Sequence, residues 1–171
     1  MFRRVLDRMT DAAMLAAELA IVLMMVHITM ELGVRFLLRT GVAGTYEFVT
    51  YYYMVGCAYL PLAYVTRGDG HISAQIFTQA LPERARAILE AVIFVGLGLF
   101  MLLVTWQTSV EAVSMTRVGE VYHAIVSVPK WPARWFLPIG SVLMAIYAFL
   151  LAARRLSGEE VKRTEEMAPG Q

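Results

Sequence analysis

The stretch that decides the fold is a break in the apolar pattern, Tyr64-Val65-Thr66-Arg67-Gly68-Asp69-Gly70-His71-Ile72-Ser73-Ala74-Gln75-Ile76. A long apolar run ends here, and a charged, glycine-containing turn leads into a short amphipathic segment over about 71–81. That segment is too short to cross a bilayer, which takes roughly 20 apolar residues. Its apolar stripe instead predicts a helix that lies along the membrane interface.

The apolar runs on both sides of this break predict a membrane protein. Hydrophobic residues make up 58% of the 171 residues and charged residues 17%, more apolar than a soluble domain usually is. The apolar blocks are long enough to cross a bilayer as helices. The predicted fold is an all-α membrane domain over 12–153, with spans at about 12–34, 46–65, 87–110 and 135–153 and the interfacial helix between the second and third.

The two ends of the chain are charged. The pattern of apolar and basic residues in 1–11 predicts a short amphipathic segment at an anionic membrane surface. A cleaved signal peptide is the competing interpretation. Residues 154–171 predict a charged tail. Ten Lys and Arg residues lie on the side of the membrane that holds both termini and the 67–86 hinge, against five in the two opposite loops. The positive-inside rule then places both termini in the cytoplasm.

Several functional classes lack support. A net charge of +1 and the absence of a basic patch argue against nucleic-acid binding. The single cysteine, Cys57, excludes an intrachain disulfide framework. No glycine-rich phosphate loop, metal-binding motif or Ser/His/Asp set is present, so neither an enzyme nor a cofactor is predicted.

Three ionisable side chains interrupt the first span: Glu18, His27 and Glu31. A charge near the bilayer centre costs about 2.5–3.5 kcal/mol on insertion scales, so these groups are expected to face protein. His27 and Glu31 are four residues apart and share a helical face, whereas Glu18 lies on the face opposite His27. Contacts with a neighbouring helix or with headgroups, and a proton or ion site, both remain open.

Charged residues also flank the predicted turns. Arg35 and Glu47 lie on either side of one loop, where they could pair with each other or meet a partner protein. Arg67 and His71 are expected to bind helix ends or lipid phosphates, or to remain solvated among the headgroups.

The order of several markers resembles one known family, the small membrane subunit of tripartite ATP-independent periplasmic (TRAP) transporters. The resemblance runs from about residue 15 to residue 152. Two departures stand out: Tyr46-Glu47 replaces an acid pair that often opens the second span, and Gln75 replaces a frequent Asp. The markers are Arg35-Phe36, Glu47, Ala63-Tyr64, Arg67, Gly70-His71-Ile72, Leu81-Pro82 with Arg84 or Arg86, Ile125 to Trp131, and Pro138-Ile139-Gly140.

The resemblance implies a non-catalytic subunit in the bacterial inner membrane, in contact with membrane lipids. It would scaffold a large membrane subunit that carries the sodium and substrate sites, with a periplasmic binding protein delivering an organic acid. Candidate contacts with the large subunit are Glu18, His27, Glu31, Arg35, Glu47, Arg67 and His71. Candidate residues for docking the binding protein are Arg39, Arg117, Glu120 and Lys130.

Two other functions remain open at this point. One is a membrane anchor for a respiratory or redox complex, with His27 as a haem ligand. The other is a small carrier that works alone, although the predicted spans offer few polar groups to line a solute path. Neither the transported solute nor the copy number of the subunit follows from the sequence.

Overall fold

A computed structural model describes residues 2–68, 83–123 and 127–156. Within these residues, four helical stretches are long and apolar enough to cross a membrane: Arg3–Leu38, Thr45–Arg67, Ala85–Val118 and Ala133–Leu156. The four predicted spans are therefore confirmed. The predicted interfacial helix at 71–81 and most of the tail lie outside the described residues.

The first helix, α1, runs without interruption over Phe2–Leu38. From Phe2 onward, the segment predicted to lie on the surface (1–11) and the first predicted span thus form one helix rather than two elements. No proline or glycine interrupts the chain before Gly33, and the Ala, Leu and Met residues that fill it are strong helix formers. At about 1.5 Å per residue, α1 is about 55 Å long and exceeds the roughly 30 Å hydrocarbon core of a bilayer.

The second span is segmented. It contains α2 (Thr45–Phe48), a π-helical turn (Val49–Tyr53), α3 (Met54–Tyr59) and α4 (Leu62–Arg67). The break between α3 and α4 falls at Leu60 and Pro61, because proline has no N–H and its ring crowds the preceding turn. The kink predicted for Pro61 corresponds to this break between α3 and α4.

The third and fourth spans are joined by a small β-hairpin. Helix α5 (Glu83–Val118) continues eight residues beyond the predicted end of its span. Strands β1 (Val121–His123) and β2 (Ser127–Pro129) then pair antiparallel, with Tyr122 opposite Val128. A short 3-10 turn (Ala133–Trp135) leads into α6 (Phe136–Leu156). The region predicted as a loop, 111–133, is thus largely ordered into helix and hairpin.

Helix α6 is the centre of the bundle. It packs along α5 on one side and along α3 and α4 on the other, and its Tyr147 touches α1. Small residues allow this close packing: Ser141, Ala145 and Ala148 are fully buried at spacings of four and three. A Cβ atom added at Gly140 would collide with the backbone carbonyl of Tyr59, so only glycine fits there.

Candidate functional site

Polar side chains gather at the two ends of the bundle, and the apolar middle separates them. At one end, α1 begins, α4 ends, α5 begins and α6 ends. At the other end lie the α1–α2 loop, the π-helical turn and the β-hairpin. We refer to these as the first and second polar ends.

At the first polar end, Arg67 ties α4 to α1. Its guanidinium lies 2.6 Å from Asp11 and 3.8 Å from Asp7, and it stacks 4.7 Å from the centre of the Tyr64 ring. The hydroxyl of Tyr147 on α6 donates a 2.6 Å hydrogen bond to Asp7. Arg67, proposed from the sequence as a contact with another subunit, therefore belongs to a network that joins α1, α4 and α6 of its own chain.

Glu90 forms a second network at this end. Its side chain is 9% exposed. The carboxylate accepts a hydrogen bond from Arg86 at 2.9 Å and forms an ion pair with Arg155 at 3.1 Å. Arg86 lies four residues before Glu90 on α5, while Arg155 comes from the last turn of α6. A buried carboxylate needs such partners to offset the cost of leaving water, and here the pairing fixes α5 against α6.

At the second polar end, Glu31 organises the α1–α2 loop. It accepts hydrogen bonds from Arg35 at 2.8 Å, from the backbone N–H of Val42 at 2.8 Å and from the hydroxyl of Thr45 at 3.3 Å. A Cβ at Gly41 would lie within 3.2 Å of both acidic and basic side chains of this cluster. Glu31 therefore closes the loop within the chain.

Three consecutive tyrosines of the π-helical turn contact other parts of the chain. The Lys130 ammonium lies 4.0 Å above the Tyr51 ring, and the Tyr52 hydroxyl donates a 2.5 Å hydrogen bond to the Pro129 carbonyl. The Tyr53 ring meets the imidazole of His27 edge-on at 6.0 Å. Single π-helical turns are frequent at functional sites; this one fastens the second span to the hairpin and to α1.

Glu120, just before β1, and Arg134, shortly after β2, form an ion pair. The guanidinium donates to both carboxylate oxygens of Glu120, at 2.5 and 2.9 Å, while its third nitrogen lies 3.6 Å from Glu111. The hydrogen bonds from Arg134 hold the pKa of Glu120 below its ordinary value, against the opposing effect of partial burial. The positive charge of Lys130 acts in the same direction.

Glu18 differs from all these acids because it lies between the two polar ends. It is eleven residues from Asp7 and thirteen from Glu31, about 16 and 20 Å along α1. Its side chain is on the exposed surface of the helix, next to Leu15, Leu19 and Val22. Among the residues that the structure describes, no ion pair or hydrogen bond to this carboxylate is found.

The other residues singled out from the sequence have varied surroundings. No ion pair joins Arg35 to Glu47 in the described part of the chain, because Arg35 binds Glu31 instead. His27 is half-buried between the rings of Phe48 and Tyr53. Arg39, in a left-handed conformation (φ 52°), and Arg117 are exposed at the second polar end. His71 lies outside the described residues.

Several residues of these networks did not stand out in the sequence. The spacing of Arg86 and Glu90 is that of a helical ion pair, a signal that was present. The contacts of Asp7 with Tyr147 and of Glu90 with Arg155 form only through tertiary packing, at separations that no local pattern marks. Arg134 and Glu120 meet because the hairpin reverses the chain.

No group of three or more metal-ligating side chains occurs in the described ranges. A comparison with protein families gives one decisive result: the chain matches the model of the DctQ component of tripartite ATP-independent periplasmic transporters over residues 24–158, more than three quarters of its length. The chain belongs to the DctQ family. Comparisons with curated proteins and with solved structures gave no match.

Membership of the DctQ family assigns the chain to the small membrane component of a TRAP transporter. The four spans agree with a multi-pass membrane protein. The matched region begins within α1 and includes the second polar end, the π-helical turn, the hairpin and all of α6.

Proposed function

We propose that this DctQ-family chain is a non-catalytic scaffold for the large membrane subunit of a TRAP-type secondary transporter. In this proposal the complex takes up an organic acid with sodium, and a periplasmic binding protein delivers the solute. The sodium and substrate sites belong to the large subunit. The chain lies in the bacterial inner membrane with both termini in the cytoplasm, as the distribution of Lys and Arg favours.

The observation that carries the scaffold proposal is the position of Glu18. A carboxylate near the middle of a span is costly when it faces lipid, by about 2.5 kcal/mol or more. Its neighbours on α1 are exposed apolar side chains, so the surface as a whole suits a membrane environment. A helix of the large subunit that brings a cation or hydrogen-bond donor to Glu18 would remove this cost.

The charges at the second polar end support a separate role. Arg39 and Arg117 are exposed on the side that the proposed orientation places in the periplasm. The hairpin is tied to the second span by Tyr52, and Lys130 is held over Tyr51. We propose that this end helps to dock the binding protein, since exposed charges of this kind mainly guide association.

Reconstitution tests the function as a whole. Proteoliposomes that contain this chain, the large subunit and the binding protein are expected to take up the organic acid in a sodium-dependent manner. Liposomes with this chain alone are expected to show none. Uptake by the chain alone would contradict the proposal, and a haem Soret band in the purified protein would favour the redox-anchor alternative.

Co-purification tests the role of Glu18. Glu18→Leu and Glu18→Gln are expected to lower recovery of the large subunit at least several-fold, whereas Glu18→Asp keeps the charge and retains part of it. Leu19→Ala, one residue away on the exposed surface, is the matched control. If Glu18→Leu recovers the large subunit as well as the wild type does, Glu18 faces lipid and is not a subunit contact.

A further inference from the structure

A cleft at the second polar end is bordered by several of the contacts described above. It has a volume of about 450 Å³ and lies between the second span, the last third of α5 and the start of α6. Both the second span and α5 pack on α6, and the cleft fills the angle that they leave between them. Its size is within the range of small-molecule sites, roughly 300–1,000 Å³.

The walls of the cleft change character along its length. Tyr51, Val55 and Tyr59 are four residues apart, so they line one face of the second span over about 12 Å. Val55, Tyr59 and Leu137 form an apolar wall on the inner side. Glu111, Lys130 and Arg134 lie at the outer side, where α5 ends and α6 begins.

The charged rim is fixed in position by contacts behind it. Arg134 is held by the two hydrogen bonds from its guanidinium to Glu120, and its third nitrogen stays 3.6 Å from Glu111, beyond hydrogen-bond length. Lys130 is held over the Tyr51 ring. Two cations and one carboxylate therefore line the same opening, and guanidinium and ammonium groups are the usual protein ligands of phosphate.

The occupant must match both halves of the cleft. Beyond the charged rim, the polar side chains of the lining are Tyr59, Gln107 and Thr108, and the Thr108 hydroxyl already donates to the Val104 carbonyl at 2.7 Å. Water alone would therefore find few hydrogen-bond partners beside the apolar wall. A ligand with a phosphate at one end and a hydrocarbon chain at the other satisfies both halves, and the bilayer supplies such molecules at the level of the helix ends.

We propose that this cleft is a phospholipid-binding site. The lipid phosphate lies between Lys130 and Arg134, and one acyl chain runs inward along Val55, Tyr59 and Leu137. Where the headgroup carries an amine, Glu111 is placed to receive it. The lipid would fill the angle between the second span and α5, two elements that both pack on α6, and thereby make the bundle more rigid.

Native mass spectrometry of the purified full chain tests this site. The probes are phosphatidylethanolamine, phosphatidylglycerol and diacylglycerol, which has no phosphate. We expect one phospholipid to remain bound per chain after a delipidating wash, and diacylglycerol to be lost. Lys130→Gln is expected to weaken retention about tenfold, the effect of removing one charge-assisted contact.

Two matched controls separate a specific site from general lipid adhesion. Arg117→Gln removes a positive charge at the same end of the bundle without touching the cleft, and Val92→Trp enlarges an exposed side chain on α5. Both are expected to retain lipid as the wild type does. Val55→Trp fills the cleft and is expected to abolish retention. An equal loss in Arg117→Gln and Lys130→Gln, or retention of diacylglycerol, would overturn the proposal.

Photoreactive phospholipid gives a second measurement that needs no variant. Cross-links in the wild-type chain are expected to concentrate in peptides that contain residues 51–59 and 130–137. An even spread over the exposed faces of α1 and α5 would overturn the site. Loss of these cross-links when the large subunit is bound would show that a protein segment, not a lipid, occupies the cleft in the assembled transporter.

Discussion

Helices α1 and α6 are alike in hydropathy and opposite in environment. Both are long and apolar enough to cross a membrane, yet only 6% of the most apolar part of α1 is buried within the chain, against 56% for α6. Helix α6 packs against α5, α3 and α4 and also touches α1, whereas α1 has one long apolar surface that faces away from the bundle.

Polarity does not explain this difference in burial. Lipid is as apolar as leucine, so an exposed Leu19 carries no penalty in a bilayer. Burial in α6 instead follows from small residues that let backbones approach: Gly140, Ser141, Ala145, Ala148 and Ala152. Where α1 does pack, small residues contribute: Ala13 and Ala17 are buried in its N-terminal half, together with the larger Leu6.

The largest effect is expected from Gly140→Ala. The new methyl group would collide with the Tyr59 carbonyl, so α6 and the second span must separate. Overpacking of this kind costs about 3 kcal/mol of unfolding free energy, at the upper end of the usual range. Unfolding by SDS in mixed micelles, followed by circular dichroism, measures it. Gly96→Ala on the exposed side of α5, where a Cβ meets nothing within 4 Å, is the control and should not destabilise the chain.

A pair of leucines tests the same contrast without a clash. Leu143 on α6 is 3% exposed and Leu19 on α1 is 53% exposed. Leu143→Ala leaves a cavity and is expected to cost about 2 kcal/mol, less than in a water-soluble core because the transfer to lipid contributes little. Leu19→Ala should change the unfolding free energy of the isolated chain by less than about 0.5 kcal/mol. Equal costs in the SDS titration would mean that α1 packs as closely as α6.

Glu90, which is paired, and Glu18, which has no partner in the described residues, provide a third contrast. Glu90→Gln leaves Arg86 and Arg155 without their carboxylate, and it is expected to cost about 1–2 kcal/mol, reduced because Arg86 is 40% exposed. Glu18→Gln removes a charge that has no partner in the described residues, so the isolated chain should be equally or more stable. A lower unfolding free energy for Glu18→Gln would show an intramolecular partner for Glu18.

The smallest effect is a pH dependence at the hairpin. Because the pKa of Glu120 is lowered in the folded chain by Arg134, the pairing stabilises the fold fully above about pH 4.5 and is lost as the pH falls through the folded pKa. The expected contribution is below about 1 kcal/mol, as for other partly exposed ion pairs.

Tryptophan fluorescence can follow this change. The Trp135 indole donates to the Thr116 hydroxyl at 3.2 Å, next to Arg134. In a variant with Trp106 and Trp131 replaced by Phe, the emission of Trp135 should change reversibly below about pH 4.5. Glu120→Gln should remove the transition. A transition of the same size in Glu120→Gln would assign it to another group.

Much of the fold could be predicted from the sequence. The four spans, the break at Pro61 and the small-residue face of α1 each follow from local composition, because a bilayer requires long apolar helices and close helix contact requires small side chains. The bounds were less accurate: α1 and α5 extend well beyond their predicted spans. Both helices continue beyond the hydrocarbon region because their residues have high helix propensity and because charged side chains near their ends find partners.

The sequence indicated which residues make polar contacts but did not identify their partners. An acid or histidine within a span signals a protein contact but does not identify the partner. Glu31 and Arg67, proposed as contacts with another subunit, bind groups of their own chain. Glu18 had the same signal in the sequence, and only its exposed position sets it apart.

The sequence by itself determined that the chain is a four-span membrane protein and carried the markers of the DctQ family, because hydropathy and ordered motifs are local properties. The tertiary structure decided which span is central, which charges are paired within the chain and where the cleft lies. These depend on contacts between residues far apart in the sequence, such as Asp7 with Tyr147 and Glu90 with Arg155. Lipid makes every apolar helix acceptable, so only close packing distinguishes the helix that is buried from the one that is exposed.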